Sequence, residues 1–158
     1  SDMPVHRKFS KRAVSVRDGR IATQHGAAGD YKLLGGGVEE GESYEEALCR
    51  EVREESGLIV IPESIRRIGE VLERRQDLFS PGEIYECHSI VFACRVGDER
   101  MEPCMTKSEI AAGYCLDWAT PEEIISGNMP FRESRIWSLR DMETVRILVE
   151  SGEIKSYE

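Results

Sequence analysis

The pattern of apolar and polar residues predicts short strands joined by tight turns in the first part of the chain. Apolar and polar residues alternate from Lys11 to Val16, and a second extended run follows from Ile21 to Gln24. Asp18-Gly19 between them is typical of a hairpin turn, because glycine adopts a positive φ at no steric cost. A further short strand, Tyr31 to Leu34, leads directly into Gly35-Gly36-Gly37. This region is therefore predicted to form part of a sheet.

A helix is predicted to follow the glycines. It is expected to begin after Ser43, whose side chain can cap the first turn while Glu46 reaches back to complete a capping box. Gly57 is expected to end it in the left-handed conformation that glycine accepts.

Further along the chain, the pattern predicts strands, loops and two more helices. The extended segments are Leu58 to Ile61, Arg66 to Arg75, Ile84 to Val96 and Tyr114 to Ala119, of which Ile84 to Val96 is the longest. Gln76 to Glu83 and Gly97 to Gly113 are polar and broken, so both are predicted to be turns or loops. A brief helix runs from Pro121 to Ser126, and Arg135 to Ser151 has helical apolar spacing. Strands mixed with a few helices indicate a layered α/β domain.

Three carboxylates are concentrated within two turns of the helix that follows the glycines. Glu51, Glu54 and Glu55 repel one another, and each i,i+4 pair costs a few tenths of a kcal/mol. A solvated, charge-rich helix is the usual explanation for such a run. Here, however, the glutamates border the apolar arc formed by Leu48 and Val52, whereas a solvated face would lie opposite it. A hard divalent cation would relieve the repulsion, so the segment is predicted to hold a metal for a phosphate substrate.

The same segment resembles the Nudix box, Gly-x5-Glu-x7-Arg-Glu-aliphatic-x-Glu-Glu-x-Gly-aliphatic, at every defined position. The matching residues are Gly36, Glu42, Arg50, Glu51, Val52, Glu54, Glu55, Gly57 and Leu58. The box covers only residues 36–58, so it indicates the family far more strongly than the substrate. The resemblance implies a Nudix-type α/β/α sandwich, in which a mixed β-sheet lies between helices.

The resemblance also implies a metal site that uses Mg²⁺ or Mn²⁺. In this reading the carbonyl of Gly36 joins the carboxylates of Glu51 and Glu55 in coordinating the ion. Glu54 lies beside them, as a further ligand or as the base. The alternative explanation for the three glycines is an ordinary turn; the functional one needs a backbone close enough to offer its carbonyl to the metal.

Two further roles are expected around this site. By resemblance, Arg50 and Glu42 form an ion pair that ties the loop to the helix and orients the neighbouring carboxylates. The general base that activates water is either Glu51 or Glu54 in the box, or Glu109 in the polar segment before Trp118. We favour a base in the box, because no spacing in the sequence fixes residues 97 to 113 over the site; an exposed loop acid is an equally good interpretation of Glu109.

The expected function is metal-dependent hydrolysis of a diphosphate bond in a nucleoside diphosphate linked to another moiety. Nucleoside triphosphates, oxidised nucleotides, nucleotide sugars and ADP-ribose are all substrates to consider. The alternative is a catalytically inactive Nudix-fold domain that binds nucleotides or regulates a partner, although such domains usually lose glutamates that this chain retains. A decapping-type enzyme acting on RNA is disfavoured, because the formal charge of −9 provides no basic face for a nucleic-acid backbone.

Length and composition limit the remaining choices. The 158 residues, of which 40% are hydrophobic, are predicted to form one domain over residues 1–158, with Ser1 and Asp2 as the remnant of a cleaved tag. We find no signal peptide and no apolar run of spanning length, and therefore expect a cytosolic protein that does not bind membranes. A monomer and a homodimer are both compatible with the sequence. The odd number of cysteines without a Cys-x-x-Cys pair favours reduced thiols: Cys49, Cys87, Cys94, Cys104 and Cys115.

Residues outside the box do not identify the substrate. Aromatic side chains could stack on a base, although such residues are more often part of a core; they are Tyr31, Phe79, Tyr85, Trp118, Phe131 and Trp137. Basic side chains could bind phosphates or lie on solvated strand edges; they include Arg66, Arg67, Arg74, Arg75 and Lys107.

Overall fold

The computed structural model describes residues 3–77 and 79–154, and within them a mixed sheet is packed between helices. The main sheet contains β1 (Val5–Val14), β2 (Val16–Arg17), β3 (Arg20–His25), β4 (Tyr31–Gly37), β6 (Arg66–Gln76), β7 (Ile84–Ala93) and β9 (Cys115–Ala119). A second sheet pairs β5 (Leu58–Val60) with β8 (Val96–Arg100). The helices are α1 (Tyr44–Ser56), α2 (Lys107–Ala111), α3 (Pro121–Asn128) and α4 (Ile136–Glu150), with 3₁₀ turns at Pro62–Ser64 and Met129–Phe131. No helix in the described ranges is long and apolar enough to cross a bilayer.

Strand β1 lies at the centre of the main sheet. The strand order is β2-β3-β4-β1-β7-β6, with β9 paired to β3. β1 runs parallel to β7 and antiparallel to β4, so its backbone is paired on both sides. The predicted hairpin between β2 and β3 is confirmed: Asp18 and Gly19 form its turn, with φ angles of 52° and 74°.

The two faces of the sheet bury separate cores. On one face Ala13 and Leu34 pack with α1, and on the other Val14 and Leu33 pack with α3 and α4, because successive strand residues point to opposite sides. The core on the α1 face includes Ala13, Ala22, Leu34, Leu48, Val52, Leu58 and Phe92. The core on the α4 face includes Val14, Ile21, Leu33, Val91, Ile124, Val145 and Leu148. The predicted sandwich with a mixed sheet between helices is confirmed.

Three boundaries differ from the sequence-based prediction. The run from Ile84 to Val96 is not one strand, because β7 ends at Ala93 and β8 begins at Val96; the longest strand is instead β6, with 11 residues. Residues 97–113 are not only a loop, since β8 continues to Arg100 through its pairing with β5 and α2 follows. β1 begins at Val5, well before the apolar alternation, because its polar first half pairs with β7.

Candidate active site

The end of β4 brings its backbone unusually close to neighbouring groups. A Cβ atom on Gly35, where φ is +139°, would lie 2.0 Å from the carbonyl oxygen of Lys11, so a side chain cannot be accommodated there. A Cβ atom on Gly36 would lie 2.8 Å from Oε1 of Glu51. The carboxylate of Glu51 therefore packs directly against the backbone of Gly36, as the functional interpretation of these glycines requires.

Local interactions fix the position of α1 above these glycines. The predicted capping box is present, with Ser43 accepting from the amide of Glu46 while the Glu46 side chain accepts from the amide of Ser43. The helix ends at Gly57, which has a φ of 79° and donates its amide to the carbonyl of Arg53 at 2.8 Å. Leu48 and Val52 are buried in the core and set the rotation of the helix. Both ends and the rotation of α1 are thus defined by its own sequence.

The three glutamates of the box have different environments. Glu55 is only 5% exposed, and its Oε1 accepts a hydrogen bond from the amide of Gly35 at 2.8 Å. Burial raises the pKa of Glu55 to about 8, although the hydrogen bond from Gly35 opposes this shift. Glu51 is half-buried, and the side chain of Glu54 is 43% exposed. The exposure thus increases from Glu55 through Glu51 to Glu54, which agrees with the prediction that these carboxylates border the buried side of the helix.

Arg50 connects the loop before the helix to two of these carboxylates. Its Nε and Nη2 donate to the carboxylate of Glu42 at 2.6 and 2.9 Å, which confirms the expected ion pair. Its Nη1 donates to Glu51 and to Glu54, at 3.3 Å in each case. The hydrogen bonds from Arg50 lower the pKa of Glu42 to about 2. One guanidinium thus orients the carboxylates that surround it.

Lys11 is a residue of this site that the sequence did not identify. It is fully buried, with 0% exposure, and its Nζ donates to the carbonyl oxygens of Gly36, at 3.1 Å, and of Gly37. Burial lowers the pKa of Lys11, and the negative charge of Glu51 opposes that shift. An ammonium group therefore lies on the carbonyl that the resemblance assigns to the metal. In the sequence, the feature that could have pointed to Lys11 is the pair of adjacent cations, Lys11-Arg12, within an alternating strand.

The donor groups fit a hard divalent cation. Carboxylate and carbonyl oxygens are the ligands that Mg²⁺ and Mn²⁺ prefer, and Glu51 and the backbone of Gly36 lie side by side. In residues 3–77 and 79–154, no three acidic, histidine or cysteine side chains converge into a cage by themselves. A metal here would therefore depend on the Gly36 carbonyl as well as on side chains of α1.

Glu109 lies on a different element from the other candidates. It is the third residue of the capping box of α2, where its Oε1 accepts from the amide of Thr106 at 2.9 Å. The preceding segment is tied to the end of α1, because the amide of Cys104 donates to the carbonyl of Glu54 at 2.7 Å. Within the described part of the chain, no hydrogen bond or ion pair joins the Glu109 side chain to α1. Its role as a base remains a prediction.

A cleft of about 320 Å³ opens beside Gly36 and Gly37, between the sheet and α4. Its charged lining residues are cations, namely Lys8, Arg12, Lys32 and Arg140. Phe9, Tyr85 and Trp137 also line it, as do the buried residues Ser10 and Cys87. Cationic and aromatic side chains together suit a phosphorylated compound that carries an aromatic base. Of the aromatic residues considered from the sequence, Tyr85 and Trp137 lie in this cleft.

Comparison with known proteins agrees with this geometry. A profile of the NUDIX domain matches residues 8–138. Nucleoside triphosphatase NudI of Escherichia coli O139:H28 is 32% identical over 101 residues, which cover 58% of this chain and 72% of that protein. A NUDIX hydrolase from Nitrosomonas europaea superposes with a TM-score of 0.66 at 18% identity, covering 94% of this chain and 92% of that one. An ADP-ribose pyrophosphatase from Streptococcus suis superposes with a TM-score of 0.61 at 16% identity, covering 96% of both chains.

At such low identities, the two structural matches show the fold alone. The domain profile covers most of the chain, and the NudI relative is similar over most of its own length. With its Nudix box intact from Gly36 to Leu58, this chain belongs to the Nudix family and is a hydrolase of that family.

Proposed function

We propose that this protein is a metal-dependent hydrolase that cleaves the diphosphate bond in a nucleoside diphosphate linked to another group. The observation that carries the proposal is the position of Glu51 against the backbone of Gly36, a residue that also lines the cationic cleft. A diphosphate seated there would have hard oxygen ligands for a metal on one side and cations on the other.

Gly36, Glu51, Glu54 and Glu55 are the residues that would hold Mg²⁺ or Mn²⁺. When bound, the metal neutralises phosphate charge and lowers the pKa of a coordinated water. The chain itself supplies orientation, because Arg50 fixes the carboxylates of Glu51 and Glu54 through Nη1. Water would attack phosphorus and break its bond to the bridging oxygen, which would leave with the second phosphate.

We place the general base in the box, at Glu51 or Glu54. The carboxylate of Glu51 lies beside Gly36, and that of Glu54 lies on a more exposed part of α1. Each carboxylate has one oxygen that Arg50 does not engage and that can accept a proton. The carboxylate of Glu109 instead caps α2 through Oε1 and, in the described residues, forms no hydrogen bond or ion pair with α1. These positions favour the box over the later segment.

Nucleoside triphosphates are the first substrates to test, because the relative that is 32% identical is named a nucleoside triphosphatase. Oxidised nucleotides, nucleotide sugars and ADP-ribose belong in the same panel. In the cleft, Lys8 and Lys32 would face phosphates, and the ring of Trp137 would lie against a base.

The deciding experiment measures hydrolysis of this panel in EDTA, Mg²⁺ and Mn²⁺, with phosphate release read after phosphatase coupling. We expect turnover of at least one compound only with metal. Glu51→Gln should abolish it, whereas Glu45→Gln, the same change at an exposed position of the same helix, should retain it. Absence of turnover with every compound and both metals, combined with tight nucleotide binding by calorimetry, would support a non-catalytic nucleotide-binding domain instead.

A further inference from the structure

The cleft beside the box contains an unusual concentration of buried polar atoms without partners. In the described residues, most buried side-chain nitrogen and oxygen atoms that lack a hydrogen-bond partner belong to Arg12, Glu73, Arg75, Trp137 and Arg140. Arg12, Trp137 and Arg140 line the cleft itself, and Glu73 and Arg75 line the grooves that continue from it. Because native proteins satisfy nearly all buried polar groups, such a cluster indicates a site that receives a ligand.

Arg12 is a buried cation of the cleft with an unpartnered donor. It is 4% exposed in the central strand β1, and its Nη1 donates to the carbonyl of Leu33 at 3.1 Å, while its Nε has no partner. Throughout residues 3–77 and 79–154, no carboxylate forms an ion pair with it. A buried guanidinium with only a neutral backbone partner is costly, so its surroundings favour an anion.

Arg140 is a second buried cation of the cleft with an unpartnered donor. Arg140 on α4 is 6% exposed, and its Nε donates to Oδ1 of Asp141 at 2.8 Å, while its Nη2 has no partner. Burial lowers the pKa of Arg12 to about 10, and the charge of Arg140, which lines the same cleft, adds to that shift. Two buried guanidiniums therefore line the cleft, and of the two only Arg140 has an ion pair, with Asp141.

Apart from Asp141, no carboxylate in the described residues forms an ion pair with Arg12 or Arg140. Glu73 forms its ion pair with Arg75, at 4.0 Å and without a hydrogen bond, rather than with Arg140. Glu55 lies on the opposite side of β1, where its oxygen is engaged by the amide of Gly35. Among the described residues that line the cleft, Lys8 and Lys32 add two further cations and none is acidic, although the whole chain carries a charge of −9.

We propose that Arg12 and Arg140 form a phosphate-binding subsite, distinct from the candidate metal site at Glu51, that accepts a phosphate group without metal. The planar guanidinium donors would bind two phosphate oxygens, and Lys8 and Lys32 would contact the others at the mouth. The group could be free phosphate or the phosphate of a nucleotide. The subsite rests on the buried cations alone, and its existence does not require the proposed hydrolysis.

The test is a titration of the full chain with inorganic phosphate in EDTA, followed by calorimetry and by ¹H–¹⁵N NMR of arginine side chains. We expect saturable binding and a shift of the Arg12 Nε–H resonance, which has no partner in the free protein. Arg12→Met and Arg140→Met should each weaken binding by about tenfold or more, the scale of a charge-assisted hydrogen bond. Arg20→Met is the control, because Arg20 is exposed and paired with Glu123 away from the cleft.

Two further arms make the result decisive. Nucleoside monophosphate, inorganic phosphate and unphosphorylated nucleoside separate the two sources of phosphate. Equal affinity for the nucleoside and its monophosphate would contradict an anion subsite. If circular dichroism shows that Arg12→Met does not fold, two other measurements test the subsite. These are the phosphate affinity of Lys8→Ala and the shift of the Arg12 Nε–H resonance in the parent protein. Weaker binding by Lys8→Ala with a shifted resonance supports the proposal. No binding by the parent at millimolar phosphate, an unmoved Arg12 resonance, or unchanged affinity in folded arginine variants would overturn it.

Discussion

Replacing Glu55 with glutamine should stabilise the metal-free protein, and increasingly so as the pH rises. Burial raises the pKa of this carboxyl from 4.5 to about 8 in the folded protein. The folded state therefore retains a proton that the unfolded chain releases, and it loses stability as the pH rises through this interval. Glutamine has the same shape, can accept the hydrogen bond from the amide of Gly35, and never ionises.

The size of the effect follows from the shift. One pKa unit corresponds to about 1.36 kcal/mol, so burial of the charge removes up to about 4 kcal/mol between roughly pH 5 and pH 9. Local rearrangement and water penetration would reduce this, and about 2 kcal/mol is a reasonable lower expectation. For a chain of this length that range corresponds to about 5–15 °C in melting temperature.

The assay is thermal or urea unfolding of the parent and of Glu55→Gln from acidic to alkaline pH, in EDTA so that no cation offsets the charge. All other titrating groups are common to both proteins, so the difference between the two curves isolates Glu55. Glu45→Gln on the exposed side of α1 is the control and should follow the parent. Parallel pH profiles for the parent and Glu55→Gln would refute the reasoning, because they would show that the carboxyl titrates normally in the fold.

Four other predictions concern the same site. Glu51→Gln should lose turnover by about a hundredfold or more and abolish the rise in melting temperature on adding Mg²⁺, with circular dichroism unchanged. Arg50→Ala should lower both activity and melting temperature, because it leaves several carboxylates without their guanidinium; an unchanged melt would count against this role. Glu109→Gln should leave turnover and Mg²⁺ affinity close to those of the parent, and a hundredfold loss of turnover would instead identify it as the base. Gly36→Ala should weaken Mn²⁺ binding measured by electron paramagnetic resonance, since its methyl group would displace a carboxylate, whereas Gly37→Ala, which has open space, should not.

Features determined by neighbouring residues were predictable from the sequence. The start of α1 depends on Ser43 and Glu46, and its end depends on the conformation of Gly57, so each could be located without knowing the fold. The Asp18-Gly19 turn is likewise a local choice of backbone angles. The box residues of the candidate site lie on these same elements, which is why they could be placed correctly relative to the buried side of the helix.

Features that depend on distant pairing were not predictable. Residues 97–100 are polar, and they form a strand because β5 offers a partner about forty residues earlier in the chain. Nothing in the local sequence distinguishes Lys11 and Arg12 from exposed strand cations, because their burial depends on β4 and β7, which flank β1. The short helix α2 does have a visible capping box, Thr106 with Glu109, but its 5 residues carry too little apolar periodicity to be recognised.

The position of Lys11 next to Arg12 makes the register of β1 a shared constraint. One strand delivers an ammonium group to the box on one face and a guanidinium to the cleft on the other. A slip of a single residue would exchange the two and point each cation at the wrong face. Pairing of Lys11 with Gly36 and with Ile90 prevents that slip from both sides at once. Insertions or deletions within β1 are therefore expected to be far more damaging than substitutions. They would change which face of the sheet each later residue of the strand points to, and both sites depend on that alternation.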